Sequence, residues 1–251
     1  MTTLEQDLDS PQTISIHRRL ILKKPFLRRI YLDFYSMFVD FSRDLNMLSG
    51  ELLEIGSGGG FLKDIIPEVI TSDIAASDGI ERVFSADQLP FEDHSLKAIY
   101  LLNVLHHLDQ PDAFLNEVDR CLVPHGRLIM IEPYNSLWAR FFYKYLHHEP
   151  FDENMEHWQL PKQGRLSTSN QAMPWIIFWR DRDQFNARFP RLCIKVRKPH
   201  TAIAYVLSGG LSMPSVLPAF CYPLIQKIDH LLSRFPNTFP LFQTLVIEKL
   251  P

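Results

Sequence analysis

The run Glu51-Leu52-Leu53-Glu54-Ile55, followed at once by Gly56-Ser57-Gly58-Gly59-Gly60, constrains this chain more than any other stretch. A short apolar run after the Ser49-Gly50 turn reads as a buried strand. A glycine-rich turn at its end lets backbone N–H groups approach a ligand closely, because a Cβ would obstruct either the φ angle or the contact. A short helix ending near Pro67 is expected next, then a second strand from Val69 to Ser72, closed by Asp73, and a third from Val83 to Ala86, closed by Asp87. Lys97 to Leu102 reads as a fourth strand. Gln110 to Val123 reads as a helix with Phe114, Leu115, Val118, Cys121 and Leu122 on one face, ended by Pro124-His125-Gly126. Leu128 to Ile131 is a fifth strand, closed by Glu132-Pro133. This alternation implies parallel βαβ units, whose right-handed crossovers place a ligand crevice at the carboxyl ends of the strands.

The candidate polar residues fall at those ends. Asp73, 17 residues after Gly56, is placed to accept both hydroxyl protons of a ribose. Asp87 can accept from an adenine amine while the backbone at Gln88 and Leu89 lines the ring. Asn103-Val104-Leu105-His106-His107 ends the fourth strand. The glycine spacing, Gly56-x-Gly58-x-Gly60 with Phe61 next, lacks the small residue a dinucleotide fingerprint needs, which disfavours a nicotinamide cofactor.

In order along the chain, Leu53-Glu54-Ile55-Gly56-Ser57-Gly58-Gly59-Gly60, Ser72-Asp73, Ala86-Asp87-Gln88-Leu89-Pro90-Phe91, Asn103-Val104-Leu105-His106-His107-Leu108 and Leu122-Val123-Pro124-His125-Gly126-Arg127-Leu128 resemble the successive motifs of class I S-adenosylmethionine-dependent methyltransferases. The closest flavour is the small-molecule subgroup typified by ubiquinone and menaquinone biosynthesis enzymes. The resemblance implies an α/β, Rossmann-like, seven-stranded, mostly parallel sheet with an antiparallel last strand and helices on both faces. Leu192 to Val196 and Leu241 to Lys249 would be its final pair of strands. It also implies S-adenosylmethionine as cofactor. Glu54 would orient the glycine turn and the cofactor's ammonium, and Gly56, Ser57, Gly58 and Gly60 would pass beneath the methionine portion. Asp73 would hold the ribose, Asp87 with Gln88 and Leu89 the adenine, and Asn103 with Val104 would flank the sulfonium. Two departures stand out. Only nine residues separate Asp73 from Val83, so the usual helix there is reduced to a turn, and His125 stands where the family commonly has glycine.

Around this unit, residues 1–48 are expected to form an N-terminal helical cap, with Pro25 separating two helical pieces, and residues 49–251 the methyltransferase domain. Lid insertions are expected at about 134–170 and 200–238, and a helix from Asn170 to Phe189. The 26 residues from Thr201 to Gln226 carry no charged or histidine side chain, but Gly209, Gly210, Pro214, Pro218 and Pro223 break the run. A folded apolar cap fits better than a membrane span. With 46% hydrophobic residues in 251, the chain can bury a real core in one domain plus a small appendage.

A formal net charge of -3 supplies no global positive field for nucleic acid, and no such partner is expected. Cys121, Cys193 and Cys221 lack the spacing of zinc or redox pairs, and the acidic start Met1-Thr2-Thr3-Leu4-Glu5-Gln6-Asp7-Leu8-Asp9 shows no secretory signal. A cytoplasmic location follows as the expectation. The uncharged segment and the basic stretch from His17 to Arg29 could instead serve an amphiphilic acceptor, with peripheral contact to a membrane surface.

Methyl transfer from a sulfonium needs mainly an aligned acceptor and exclusion of water. His106 and His107 are the candidates to deprotonate an acceptor hydroxyl, because an ordinary imidazole titrates near neutrality. Tyr134, His147, His148 and Trp158 are candidate substrate-lid residues. Trp175, Phe178 and Trp179 read as core. No metal is expected: His147, His148, Glu149, Glu156 and His157 show no H-E-x-x-H spacing, and Pro150 interrupts any shared helical face. The alternatives are an NAD(P)-dependent reductase and a catalytically silent methyltransferase-like binding module.

Overall fold

The computed structural model describes residues 12–161, 164 and 166–251. The acidic N-terminal stretch lies outside the described residues, as do parts of the expected N-terminal cap and first lid. Two helices, α1 (Gln12–Lys23) and α2 (Pro25–Ser42), precede β1 (Glu51–Ile55), β2 (Val69–Asp73), β3 (Arg82–Val83) and β4 (Leu96–Leu102). Then come α3 (Pro111–Cys121), β5 (Leu122–Pro133), α4 (Leu137–Tyr145), the single turn α5 (Met173–Trp175), α6 (Arg182–Arg188) and β6 (Leu192–His200). The short α7 (Ala204–Leu207), α8 (Tyr222–Leu232) and β7 (Phe242–Lys249) complete the chain.

The strands form one seven-stranded sheet in the order β3-β2-β1-β4-β5-β7-β6. β1 pairs in parallel with β2 and β4, and β4 with β5, whereas β7 runs antiparallel to both β5 and β6. The order reverses at β1, whose carboxyl end is therefore the switch point where α/β sheets bind ligands. The glycine turn sits there. Leu53, Ala98, Ile99, Leu101, Leu128 and Ile131 are fully buried in the central strands, as expected of a sheet covered on both faces.

One face is covered by α2 rather than by a crossover helix. Pro25 starts α2 where its missing N–H costs nothing, and Phe26, Leu27, Ile30, Phe34, Tyr35 and Phe38 form its buried stripe. Phe38 packs on Tyr100 of β4 with ring centroids 5.2 Å apart, and Phe34 on Phe242 of β7 at 5.4 Å. The link between β2 and β3 is only a turn, as the short spacing from Asp73 to Val83 required.

Several elements differ from the sequence expectation. β3 is confined to Arg82–Val83, both exposed at the sheet edge, so Phe84 to Ala86 leave the ladder. Helix α3 ends at Cys121, because Val123 precedes a proline and Leu122 already pairs with Leu96 in the sheet. His125 then adopts φ +65°, the left-handed conformation that glycine takes without cost. The single helix expected over 170–189 is broken at Asp181: residues Ile176–Arg180 form one π turn, closed by a hydrogen bond from Asp181 N to Ile176 O. The Asp181 carboxylate accepts from Arg180 and from the Trp158 indole, which holds the break in place. Phe178 is core as expected, with Trp175 and Trp179 packed at its edge.

The uncharged segment folds as a cap of short pieces rather than one helix. Lys24 clamps it, donating from Nζ to Gly210 O at 2.8 Å and to Met213 O at 2.6 Å. Among the described residues, no helix is long and apolar enough to cross a membrane.

Candidate functional site

The glycine turn is shaped by contacts a side chain would destroy. Gly56 has φ +66°, and a Cβ there would lie 2.5 Å from Val104 Cγ2. The backbone of β1 can therefore approach β4 closely enough to form one continuous wall. Gly58, at φ +46°, donates its N–H to Asp73 Oδ2 at 3.1 Å, and Ala75 N donates to Oδ1 at 3.2 Å. Asp73 is thereby fixed against the turn. Phe61 N donates to the Tyr35 hydroxyl at 3.0 Å, and the Arg18 guanidinium donates to Gly60 O, so α1 and α2 lock the turn from above.

Glu54 is buried beneath this turn. Burial pushes its carboxyl up to about 7, with the nearby Asp73 charge adding to the rise and the Ser57 hydrogen bond opposing it. Asn103 adopts φ +56°, and its buried Oδ1 has no hydrogen-bond partner among the described residues. An orphaned acceptor on a cavity wall marks a place for a donor from a ligand.

A second polar group sits on the same cavity. His106 and His107 occupy one tight turn after β4, with ring centroids 4.2 Å apart. Glu132, fully buried at the end of β5, accepts the backbone N–H groups of Val104 and Leu105 through Oε1, each at 2.8 Å. Its Oε2 lies 2.7 Å from His106 Nδ1. The opposite nitrogen, His106 Nε2, faces Glu149 Oε2 at 3.5 Å. His107 places Nδ1 3.0 Å from Thr168 O and Nε2 3.9 Å from Glu149 Oε1. Glu149 also meets His148 Nε2 at 3.6 Å and accepts from Gln171 Nε2. Burial opposes charging of His106, but Glu132 and Glu149 outweigh it and raise its pKa to about 9. His147 is pushed down to about 4 by burial. Glu149 is held well below the usual carboxylate range: burial resists this, and the neighbouring imidazoles prevail.

His106, His107, His147, His148, Glu149, Thr168 and Gln171 line one cavity of about 630 Å3, with Glu132 behind its wall. Of the residues singled out from sequence, the structure brings Glu54, Gly56, Ser57, Gly58, Gly60, Asp73, Asn103, Val104, His106, His107, His147 and His148 to its wall. Asp87, Gln88 and Leu89 are not on it. Because β3 is so short, Phe84, Ser85 and Ala86 form that part of the wall, Gln88 is exposed, and Leu89 N is tied to Glu117. Tyr134 and Trp158 are not on it either: Tyr134 packs on Trp179, and Trp158 is buried under Arg188 with its indole bound to Asp181. Burial opposes charging of His106, but the flanking Glu132 and Glu149 carboxylates hold its pKa above the ordinary imidazole range. Sequence reasoning missed Glu132 and Gln171 as site residues, and weighed Glu149 only as a metal ligand beside His147, His148, Glu156 and His157, setting it aside for want of H-E-x-x-H spacing. Glu132 closes β5, a position that marks crevice residues in this fold, and was readable on that ground. Glu149 and Gln171 come from irregular chain with no periodic signal.

Residues 53–130 match the family described as "Methyltransferase domain". No curated protein sequence matches the chain. Among solved structures, a SAM-dependent methyltransferase from Archaeoglobus fulgidus is 14% identical with a TM-score of 0.50, the match covering 86% of this chain and 94% of that one. A provisionally assigned sarcosine dimethylglycine methyltransferase from Galdieria sulphuraria is 15% identical with a TM-score of 0.50, covering 89% and 87%. Geranyl diphosphate C-methyltransferase from Streptomyces coelicolor A3(2) is 14% identical with a TM-score of 0.46, covering 85% and 77%. At these identities the likeness is one of fold. The sheet order and the glycine turn at its switch point make a Rossmann-like fold of the methyltransferase type, and the family match over residues 53–130 includes that turn.

Proposed function

We propose that the protein transfers a methyl group from S-adenosylmethionine to an amphiphilic, lipid-linked acceptor. The observation that carries this reading is the composition of the large cavity. One part is the glycine turn with Glu54, Asp73 and Asn103; another is the polar group of His107, His148 and Glu149; a third is apolar, with Ile16, Leu20, Ile21, Leu211 and Phe242.

The residues fit the cofactor. The buried carboxyl of Glu54 suits an ammonium group, which would restore its charge. Asp73 retains free lone pairs for ribose hydroxyls, and the orphaned Asn103 Oδ1 suits a donor. S-adenosylmethionine supplies a methyl group already activated on a sulfonium. The chain's own task is to hold an acceptor in line and exclude water. The apolar wall would take the acceptor's tail, and an acceptor of the quinone-like kind suits it. The polar group of His107, His148 and Glu149 would take its polar head.

A lipid surface as the source of the acceptor is favoured by the outer side of the cap. Met213, Val216, Phe220 and Leu224 are 66%, 67%, 82% and 64% exposed. Two basic residues of the α1–α2 junction contact the cap: Arg29 stands over the Tyr222 ring at 5.9 Å, and Lys24 Nζ donates to Met213 O at 2.6 Å. Apolar side chains rimmed by cations match an anionic membrane interface.

The test is transfer of label from methyl-labelled S-adenosylmethionine into a host-cell extract, partitioned between organic and aqueous phases. Label in the organic phase is expected. Label confined to the aqueous phase would replace the lipid-linked acceptor with a soluble one, and no transfer at all would favour a silent binding module.

A further inference from the structure

We infer that His106, His107 and Glu149 form a binding site for a divalent transition-metal ion of the zinc class, with an open coordination position facing the cavity. The three side chains each offer one ligand atom, and these atoms lie within 4.8 Å of one another. Two separations are already close to a coordinated geometry: His106 Nε2 to Glu149 Oε2 is 3.5 Å and His107 Nε2 to Glu149 Oε1 is 3.9 Å. Ligands about 2.1 Å from a tetrahedral Zn2+ stand about 3.4 Å apart, so small side-chain shifts close the site.

The supporting shell is more telling than the distances. A metal-bound imidazole nearly always donates its second N–H to a carboxylate or a backbone carbonyl, which fixes both tautomer and ring orientation. Both arrangements occur here. His106 Nδ1 is paired with the buried Glu132, itself held by the N–H groups of Val104 and Leu105, and His107 Nδ1 is paired with Thr168 O. Each ring therefore turns its Nε2 toward the same carboxylate. Two imidazoles and one carboxylate leave the remaining position of a catalytic-type zinc site to an exchangeable ligand.

That position opens on a cavity that the glycine turn and Val104 also line. Its natural occupant is an oxygen of the acceptor, a hydroxyl or phenol. Coordination lowers the pKa of such a group, so its proton passes to solvent and the oxygen lone pair becomes the nucleophile. The oxygen–methyl bond then forms as the methyl–sulfur bond breaks, with the sulfur keeping the electron pair as a thioether. Metal binding itself does not depend on the methyl-transfer reading. The sequence pattern concealed the site because its ligands come from two distant segments.

The test uses the full-length protein, stripped with a chelator and titrated with Zn2+ under equilibrium dialysis, and with Co2+ under visible absorption. The expected result is one Zn2+ per chain, with Co2+ giving the intense d–d bands of a low-coordinate histidine–carboxylate site. Glu149→Gln and His107→Asn should each weaken Zn2+ binding more than about 100-fold, and Glu132→Gln, acting through His106, by about 10–100-fold. Circular dichroism and binding of S-adenosylhomocysteine report the fold of each variant independently. Failure of the wild-type protein to bind Zn2+, or stoichiometric binding that Glu149→Gln and His107→Asn both leave intact, overturns the assignment. Failure of the wild-type protein to bind S-adenosylhomocysteine would instead refute the cofactor reading and leave the metal site standing.

Discussion

Replacing Gly56 with alanine separates two costs that the structure assigns to different places. At φ +66°, an L side chain costs about 1–2 kcal/mol in backbone conformation alone. Gly79, in the turn between β2 and β3, has φ +85° and nothing within 4 Å of the place a Cβ would take, so Gly79→Ala carries only that backbone cost. For a chain of this length, about 1 kcal/mol shifts Tm by roughly 2–4 °C, so Gly79→Ala should lower Tm by about 2–8 °C. Gly56→Ala must in addition move Val104, because its Cβ would sit 2.5 Å from Cγ2 and 3.0 Å from Cγ1, against a comfortable carbon–carbon separation of about 3.5–4.0 Å. The wall beside the glycine turn then shifts by roughly 1 Å. If strain of about 1–2 kcal/mol must be re-imposed on binding, affinity for S-adenosylhomocysteine falls roughly 5- to 30-fold. Thermal denaturation and calorimetric titration of both variants provide the assay. Unchanged affinity in Gly56→Ala, or an equal loss in Gly79→Ala, would refute the placement of the ligand against this wall.

Other perturbations probe separate parts of the account. Glu54, with its folded-state pKa raised to about 7 from an ordinary 4.5, contributes stability at low pH that is lost as pH rises through that window, on the order of 3 kcal/mol. The unliganded protein should therefore melt lower at pH 7.5 than at pH 5 by an amount that Glu54→Gln reduces. Affinity for an ammonium-bearing ligand should rise with pH over the same window, because the ligand favours the carboxylate. Phe38→Ala empties a fully buried position between α2 and Tyr100 and should cost about 3–5 kcal/mol by chemical denaturation. Met213→Asp with Phe220→Asp should abolish sedimentation with anionic phospholipid vesicles while leaving Tm within a degree or two; retained sedimentation would remove the cap from the lipid interface.

The central sheet was legible in the sequence because its strands are short apolar runs punctuated by polar residues at their carboxyl ends. Glu51 to Ile55 and Val69 to Asp73 appear nearly residue for residue. His125, noted in the sequence as standing where the resembled family commonly has glycine, adopts the left-handed conformation that glycine takes without cost. What failed were features set by tertiary context. β3 is confined to Arg82–Val83, and Phe84, Ser85 and Ala86, rather than the Asp87, Gln88 and Leu89 expected beside an adenine, line the cavity. The break at Asp181 depends on an indole contributed from residue 158, which no local propensity encodes. Tyr134 and Trp158 look like lid residues by composition, yet both are consumed by packing. Glu149, set aside as a ligand because its near neighbours lack H-E-x-x-H spacing, meets its partners only where residues 106–107 and 149 come together across the cavity. The hydrophobic pattern specified the scaffold, while the polar constellation on it depends on long-range contacts.

The most direct test of the central claim is calorimetric titration of the purified protein with S-adenosylhomocysteine and, in parallel, with NADH. A single saturable site for S-adenosylhomocysteine, weakened by Asp73→Ala and absent for NADH, is the expected result. Saturable binding of NADH without binding of S-adenosylhomocysteine would contradict the account and make the glycine turn a nicotinamide site.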